Sequence, residues 1–104
     1  MEKEDETVIG AVAFHILQYV EKSIKSKLLD IGIEYPRTHD IGRLLKLLPD
    51  NGLSVKYKWH ATALTSLGMS SRYDDTRPRA MDVNDALAFA KDIVAEVSKI
   101  RRGP

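Results

Sequence analysis

The chain has 104 residues, 43% of them hydrophobic, with 16 Lys and Arg against 15 Asp and Glu and no cysteine. That is room for one domain around one core, and it excludes a disulfide framework, a thiolate metal site and a cysteine nucleophile. A formal charge of +1 argues against a protein that holds duplex DNA by charge alone. No apolar run approaches the roughly 20 residues needed to cross a bilayer, and Glu2 to Glu6 opens the chain acidic where a signal peptide opens basic. A cytoplasmic protein with no membrane partner is expected.

Every long segment carries helical periodicity. Val12, Ile16, Val20, Ile24 and Leu28 recur every four residues, with Ile9, Ala13 and Leu17 widening the stripe. This predicts a first helix from near Thr7 to Asp30–Gly32, buried on a wide face, with Gly32 suited to a left-handed terminating position. On its polar side His15, Gln18, Lys22 and Lys25 are spaced three, four and three, so they share one face. After Pro36, Thr38 or Asp40 can cap a short second helix with Ile41, Leu44, Leu45 and Leu48 on one face. Pro49 and the Asp50-Asn51-Gly52 turn end it.

Leu53, Tyr57, Ala61, Leu64 and Leu67 predict a third helix running to Met69, with Gly68 fraying its end. Ser70 to Arg79 reads as a polar loop. Asp82 is the predicted N-cap of a last helix, in which Val83, Leu87, Ala90, Val94 and Val97 alternate with Ala86, Ile93 and Ile100 in a near-heptad pattern. Arg101 and Arg102 suit its negative end. The expected fold is all-α: a single domain over residues 1–104, built as an up-and-down antiparallel bundle of three long helices and one short one.

The pattern FHxxQxxEKxxK from Phe14 to Lys25, a short Gly-containing connection, and PRTHDIGRLL from Pro36 to Leu45 resemble the HEPN domain family. These are small helical proteins linked to nucleotide and RNA handling. SSRYDD, from Ser70 to Asp75, is similar to the family's Arg-Tyr segment, and the alanine-rich last helix from Val83 fits as well, so the resemblance covers nearly the whole chain. Two departures stand out. HEPN domains usually begin with a helix ahead of the FHxxQ helix, and only about ten residues precede it here. Either residues 1–10 extend the first helix, or a second subunit covers the surface the extra helix would have covered, which makes a homodimer the expected assembly.

The second departure is chemical. Ribonucleases of the family resemble one another in an arginine followed four to six residues later by a histidine. Here His39 follows Arg37 by two, and Arg72, Arg77, Arg79, Arg101 and Arg102 have no histidine after them. Cleaving RNA by acid–base catalysis at neutral pH needs a group titrating near 7, and the histidines show no orienting partner beyond Asp40. The resemblance therefore implies a nucleotide-binding companion of a minimal nucleotidyltransferase, with no catalytic residue and no cofactor of its own. The alternative is an RNA-cleaving toxin of a toxin–antitoxin pair, using His39 or His15 with Arg37 or Arg72.

The candidate ligand surface comprises Gln18, Lys22, Lys25, Arg37 and His39, with Arg72 and Tyr73 at the start of the polar loop. Lysines hold phosphate as mobile point charges, although two on an exposed helix face more often only solvate it. Arg37 can take phosphate bidentately or pair with Glu34. His39-Asp40 looks like a metal-ligand dipeptide, but the only other imidazoles, His15 and His60, lie in separate helices, and no metal is expected. Asp40 reads better as a helix cap, like Asp82, with His39 hydrogen-bonding against the first helix. Arg72 and Tyr73 can stack on a base and contact phosphate, or can pack at the bundle's end with Arg72 paired to Asp74 or Asp75. Trp59 with Tyr57 and His60 offers a stacking surface, but core or dimer packing is the favoured use, and Phe14, Tyr19 and Tyr35 read as packing residues.

Overall fold

The computed structural model describes residues 2–49, 52–69 and 82–100, with side chains from residue 11 onward. These residues form five helices: α1 (Glu2–Asp30), α2 (Ile41–Leu45), α3 (Gly52–Lys56), α4 (Lys58–Met69) and α5 (Val83–Ser98). No strand occurs among them. The predicted polar loop, including Arg72 and Tyr73, and the terminal Arg101 and Arg102 lie outside the described residues.

The 29 residues of α1 span about 43 Å at the helical rise. The helix begins at Glu2 rather than near Thr7, so the leading residues extend it. Its end is a Schellman motif: Gly32 has φ 79°, the Ile33 amide donates to the Leu28 carbonyl at 2.8 Å and the Gly32 amide to Leu29 at 3.1 Å. Ile33 then packs on the core. Leu17, Val20, Ile24 and Leu28 are fully buried, and α1 lies against α4, α5 and α2. That part of the stripe is thus covered within the chain. Val12, expected on that stripe, is exposed, as are Phe14 and Tyr19. They point away from the neighbouring helices because those helices cover only one side of α1.

Of the two candidate caps for α2, Asp40 performs the role. Its Oδ1 accepts from the Arg43 amide at 3.2 Å, while its own amide donates to Thr38 Oγ1 at 3.0 Å. The Ile41 amide donates to Thr65 Oγ1 at 3.3 Å, tying the start of α2 to α4. Beyond Leu45, tight bonds from Leu47 to Leu44 and from Leu48 to Leu45 carry Leu48 into the core.

The single third helix expected from Leu53 to Met69 is interrupted at Tyr57. The Tyr57 ring is buried, 5.3 Å from the Phe89 ring of α5. Gly68 does not fray the end. It is buried within α4, and a Cβ there would stand 2.6 Å from the Leu17 Cβ, so only a hydrogen fits where α4 meets α1. In α5 the Asp82–Asp85 capping box forms, with the Asp85 amide donating to Asp82 at 2.8 Å. Its buried face is Ala86, Phe89, Ala90, Ile93 and Val97. Leu87, expected in the core, is exposed because the true stripe follows the 3.6-residue turn and runs through Phe89. The far end is fixed by the Lys27 ammonium donating to the Ile100 carbonyl at 2.7 Å.

Candidate functional site

Glu21 is the one buried charged residue among the described residues, at 7% exposure. A carboxylate at that depth needs partners, and it has two. Oε2 accepts from the Lys25 ammonium at 2.9 Å, one helical turn further along α1. Oε1 meets the His39 Nδ1 at 2.7 Å. Burial pushes the Glu21 carboxyl upward, but hydrogen bonds from Lys25 and His39, together with their charges, outweigh it and hold the group below its ordinary value. The carboxylate is therefore ionised at neutral pH.

The loop between α1 and α2 brings His39 to this carboxylate. The left-handed Gly32 reverses the chain, Ile33 and Tyr35 anchor it on the core, and the Asp40 cap with the Ile41–Thr65 bond fixes its far end. Tyr35 also receives Lys25, whose ammonium lies 5.5 Å from the ring centroid, within cation–π range. Because a carboxylate only accepts, Nδ1 of His39 carries the hydrogen, which leaves Nε2 to face a ligand. The His39 side chain is 52% exposed, so that face is open to solvent.

The sequence-derived candidates divide in space. Lys25 and His39 meet through Glu21, and Gln18 is half-buried one turn before it. Arg37 stands exposed on the same loop, two residues from His39, without a hydrogen bond or ion pair to any described residue, so the Glu34 pairing is not formed. Lys22 turns the other way, into an open groove between α1 and α5 beside Tyr19, Ser26 and Val94. His15 is exposed next to Phe14 and takes no part. Among the described residues, no three His, Asp or Glu side chains converge to hold a metal ion.

Sequence reasoning passed over Glu21 itself, although the residue sits in the FHxxQxxEKxxK pattern. The available signal was a carboxylate at the edge of a broad apolar stripe, four residues before a lysine. Asp40 caps α2 and His39 hydrogen-bonds against the first helix, both as expected; the partner there is Glu21, so Asp40 is not the only residue able to orient a histidine. A carboxylate-anchored imidazole and an exposed guanidinium on the loop, with the Lys25 ammonium of α1 on the same carboxylate, form an arrangement able to receive an anion.

No curated protein and no solved structure matches the chain significantly. The family model of the HEPN domain matches residues 4–100, a span that takes in the described helices but for the first two residues of α1 and holds the whole Glu21 cluster, and the chain belongs to that family.

Proposed function

We propose that this chain is a nucleotide-binding HEPN module that serves a minimal nucleotidyltransferase and carries out no turnover itself. Family membership supports a nucleotide- or RNA-related role in general. The observation that carries the finer reading is the Glu21 cluster, where one buried carboxylate fixes Lys25 and His39 beside the unpaired Arg37. Lys25, Arg37 and His39 are matched in number by Glu21, Glu34 and Asp40, so an anion would be held by directed donors and not by a local excess of positive charge. A phosphate is the proposed occupant, met by Arg37 bidentately and, in the imidazolium form of His39, by its Nε2–H. Gln18 extends the surface along α1, Lys22 contributes only from the separate groove against α5, and Arg72 and Tyr73 are the remaining proposed contacts.

Amide shifts followed during titration with common mononucleotides test this reading. Saturable changes at Lys25, Arg37 and His39 are expected; no ligand-dependent change there with any of them counts against it. Arg72→Ala is expected to weaken binding while leaving helix content intact. Val12 and Tyr19, exposed and seven residues apart on α1, support a homodimer joined through that face. A compact monomer in sedimentation at micromolar concentration opposes the dimer.

One observation favours the enzyme alternative. A carboxylate 2.7 Å from Nδ1 is the arrangement that prepares an imidazole to act as a general base through Nε2. The arginine-to-histidine spacing of the family's ribonucleases is still absent, and binding remains the favoured reading.

A further inference from the structure

We infer that the outer face of α3 and α4, centred on Trp59, is a separate contact surface that stacks an unpaired base of single-stranded nucleic acid. It does not rest on the Glu21 cluster. Val55 is 79% exposed and Trp59 56% exposed, four residues apart, and the bonds from Tyr57 to Leu53 at 2.9 Å and from Ala61 to Tyr57 at 2.7 Å carry the helical turn across the interruption, so the two share one side of the segment. The indole is not loose. His60 meets it edge-on at 5.1 Å and 88°, and the His60 ring stacks on Phe89 of α5 at 5.5 Å and 25°. A chain of rings thus runs from the core to the surface and sets the orientation of the exposed indole, which is what a stacking platform requires.

The charge around it selects the occupant. Gly52–Met69 contains no Asp or Glu, although the chain has 15 of them. Lys58 is exposed and its ammonium has no partner among the described residues. Lys56 is held loosely, 3.8 Å from Glu96 and 5.2 Å from the centroid of the Tyr57 ring. A second copy of this face would bring lysines against lysines, so the surface is not self-complementary. An acidic peptide would satisfy Lys58 but would leave the ring without a planar partner. A strand of nucleic acid supplies both, a base for the indole and a phosphate for the lysine.

Trp59 is the only tryptophan, so indole emission, excited at wavelengths the tyrosines do not absorb, reports on this face alone. Titration with short oligouridylate or oligodeoxythymidylate is expected to quench it saturably, whereas a blunt duplex of equal charge does not. Quenching by either strand supports the inference and the comparison tells RNA from DNA; quenching by neither, or equally by the duplex, overturns it. By anisotropy of a labelled strand, Trp59→Ala is expected to weaken binding about tenfold or more, with Trp59→Phe recovering most of the loss. Lys58→Gln is expected to lower the slope of log affinity against log salt by about 0.7. Undiminished strand binding by Trp59→Ala, checked for native helix content, refutes the stacking role. Self-association that Trp59→Ala abolishes, in the absence of any strand effect, assigns the face to a protein interface instead and overturns the inference.

Discussion

Removing the Glu21 carboxylate tests the physical account of the site most directly. Glu21→Ala takes away the common partner of Lys25, at 2.9 Å, and of His39, at 2.7 Å. A hydrogen bond to a charged group contributes about 1.5–3 kcal/mol when buried, while exposed ion pairs contribute about 0.2–1 kcal/mol. The side chains of Lys25 and His39 are 20% and 52% exposed, which puts each contact near 1 kcal/mol and the substitution near 2 kcal/mol of lost stability. For a domain of this size that is a fall in Tm of about 10 °C. The sign of the pH dependence follows from the direction of the shift. The Glu21 carboxyl is held below its ordinary value of 4.5, so its stabilisation is complete above that value and is lost as pH falls through the lower folded value. The gap between wild type and Glu21→Gln, read by circular-dichroism melting, is therefore expected to be present at neutral pH and to close in acid. An equal gap at neutral and strongly acidic pH, or none at any pH, refutes the claim that an ionised Glu21 organises this loop.

Gly68→Ala places a methyl 2.6 Å from the Leu17 Cβ and 3.2 Å from the Ala13 carbonyl; overpacking costs about 1–3 kcal/mol, offset by about 1 kcal/mol of helix propensity, so thermal melting should show a net loss. Gly42→Ala is the contrast, since its Cβ meets Asp40 Oδ1 at 3.4 Å and Ala61 Cβ at 3.9 Å, ordinary contacts that leave the variant neutral or more stable by up to about 1 kcal/mol. Asp82→Ala removes the acceptor of the 2.8 Å bond from the Asp85 amide and should lower the denaturation midpoint by the equivalent of about 1 kcal/mol. The purified chain is expected to leave structured and single-stranded RNA intact on incubation, with or without divalent metal; cleavage that disappears in His39→Ala would promote the enzyme alternative.

The all-helical fold, the left-handed end of α1 at Gly32 and the Asp40 and Asp82 caps were legible in the sequence, because each is decided within one or two turns by hydrogen bonds between near neighbours. The polar candidates Lys25 and His39 were legible too, as members of a pattern. That His39 bonds back to the first helix was legible as well, but its partner there, Glu21, was not. Glu21 and His39 are 18 residues apart, and nothing local specifies that the loop after Gly32 returns to that turn of α1; Ile33, Tyr35 and the Ile41–Thr65 bond do so only once α4 is in place. Periodicity likewise marked a wide apolar stripe on α1 without saying that Val12, Phe14 and Tyr19 would face solvent, or that Gly68 would be pressed on Leu17. A helical repeat establishes which residues share a face, but burial depends on where neighbouring helices lie against it, and that is settled only by packing the whole chain.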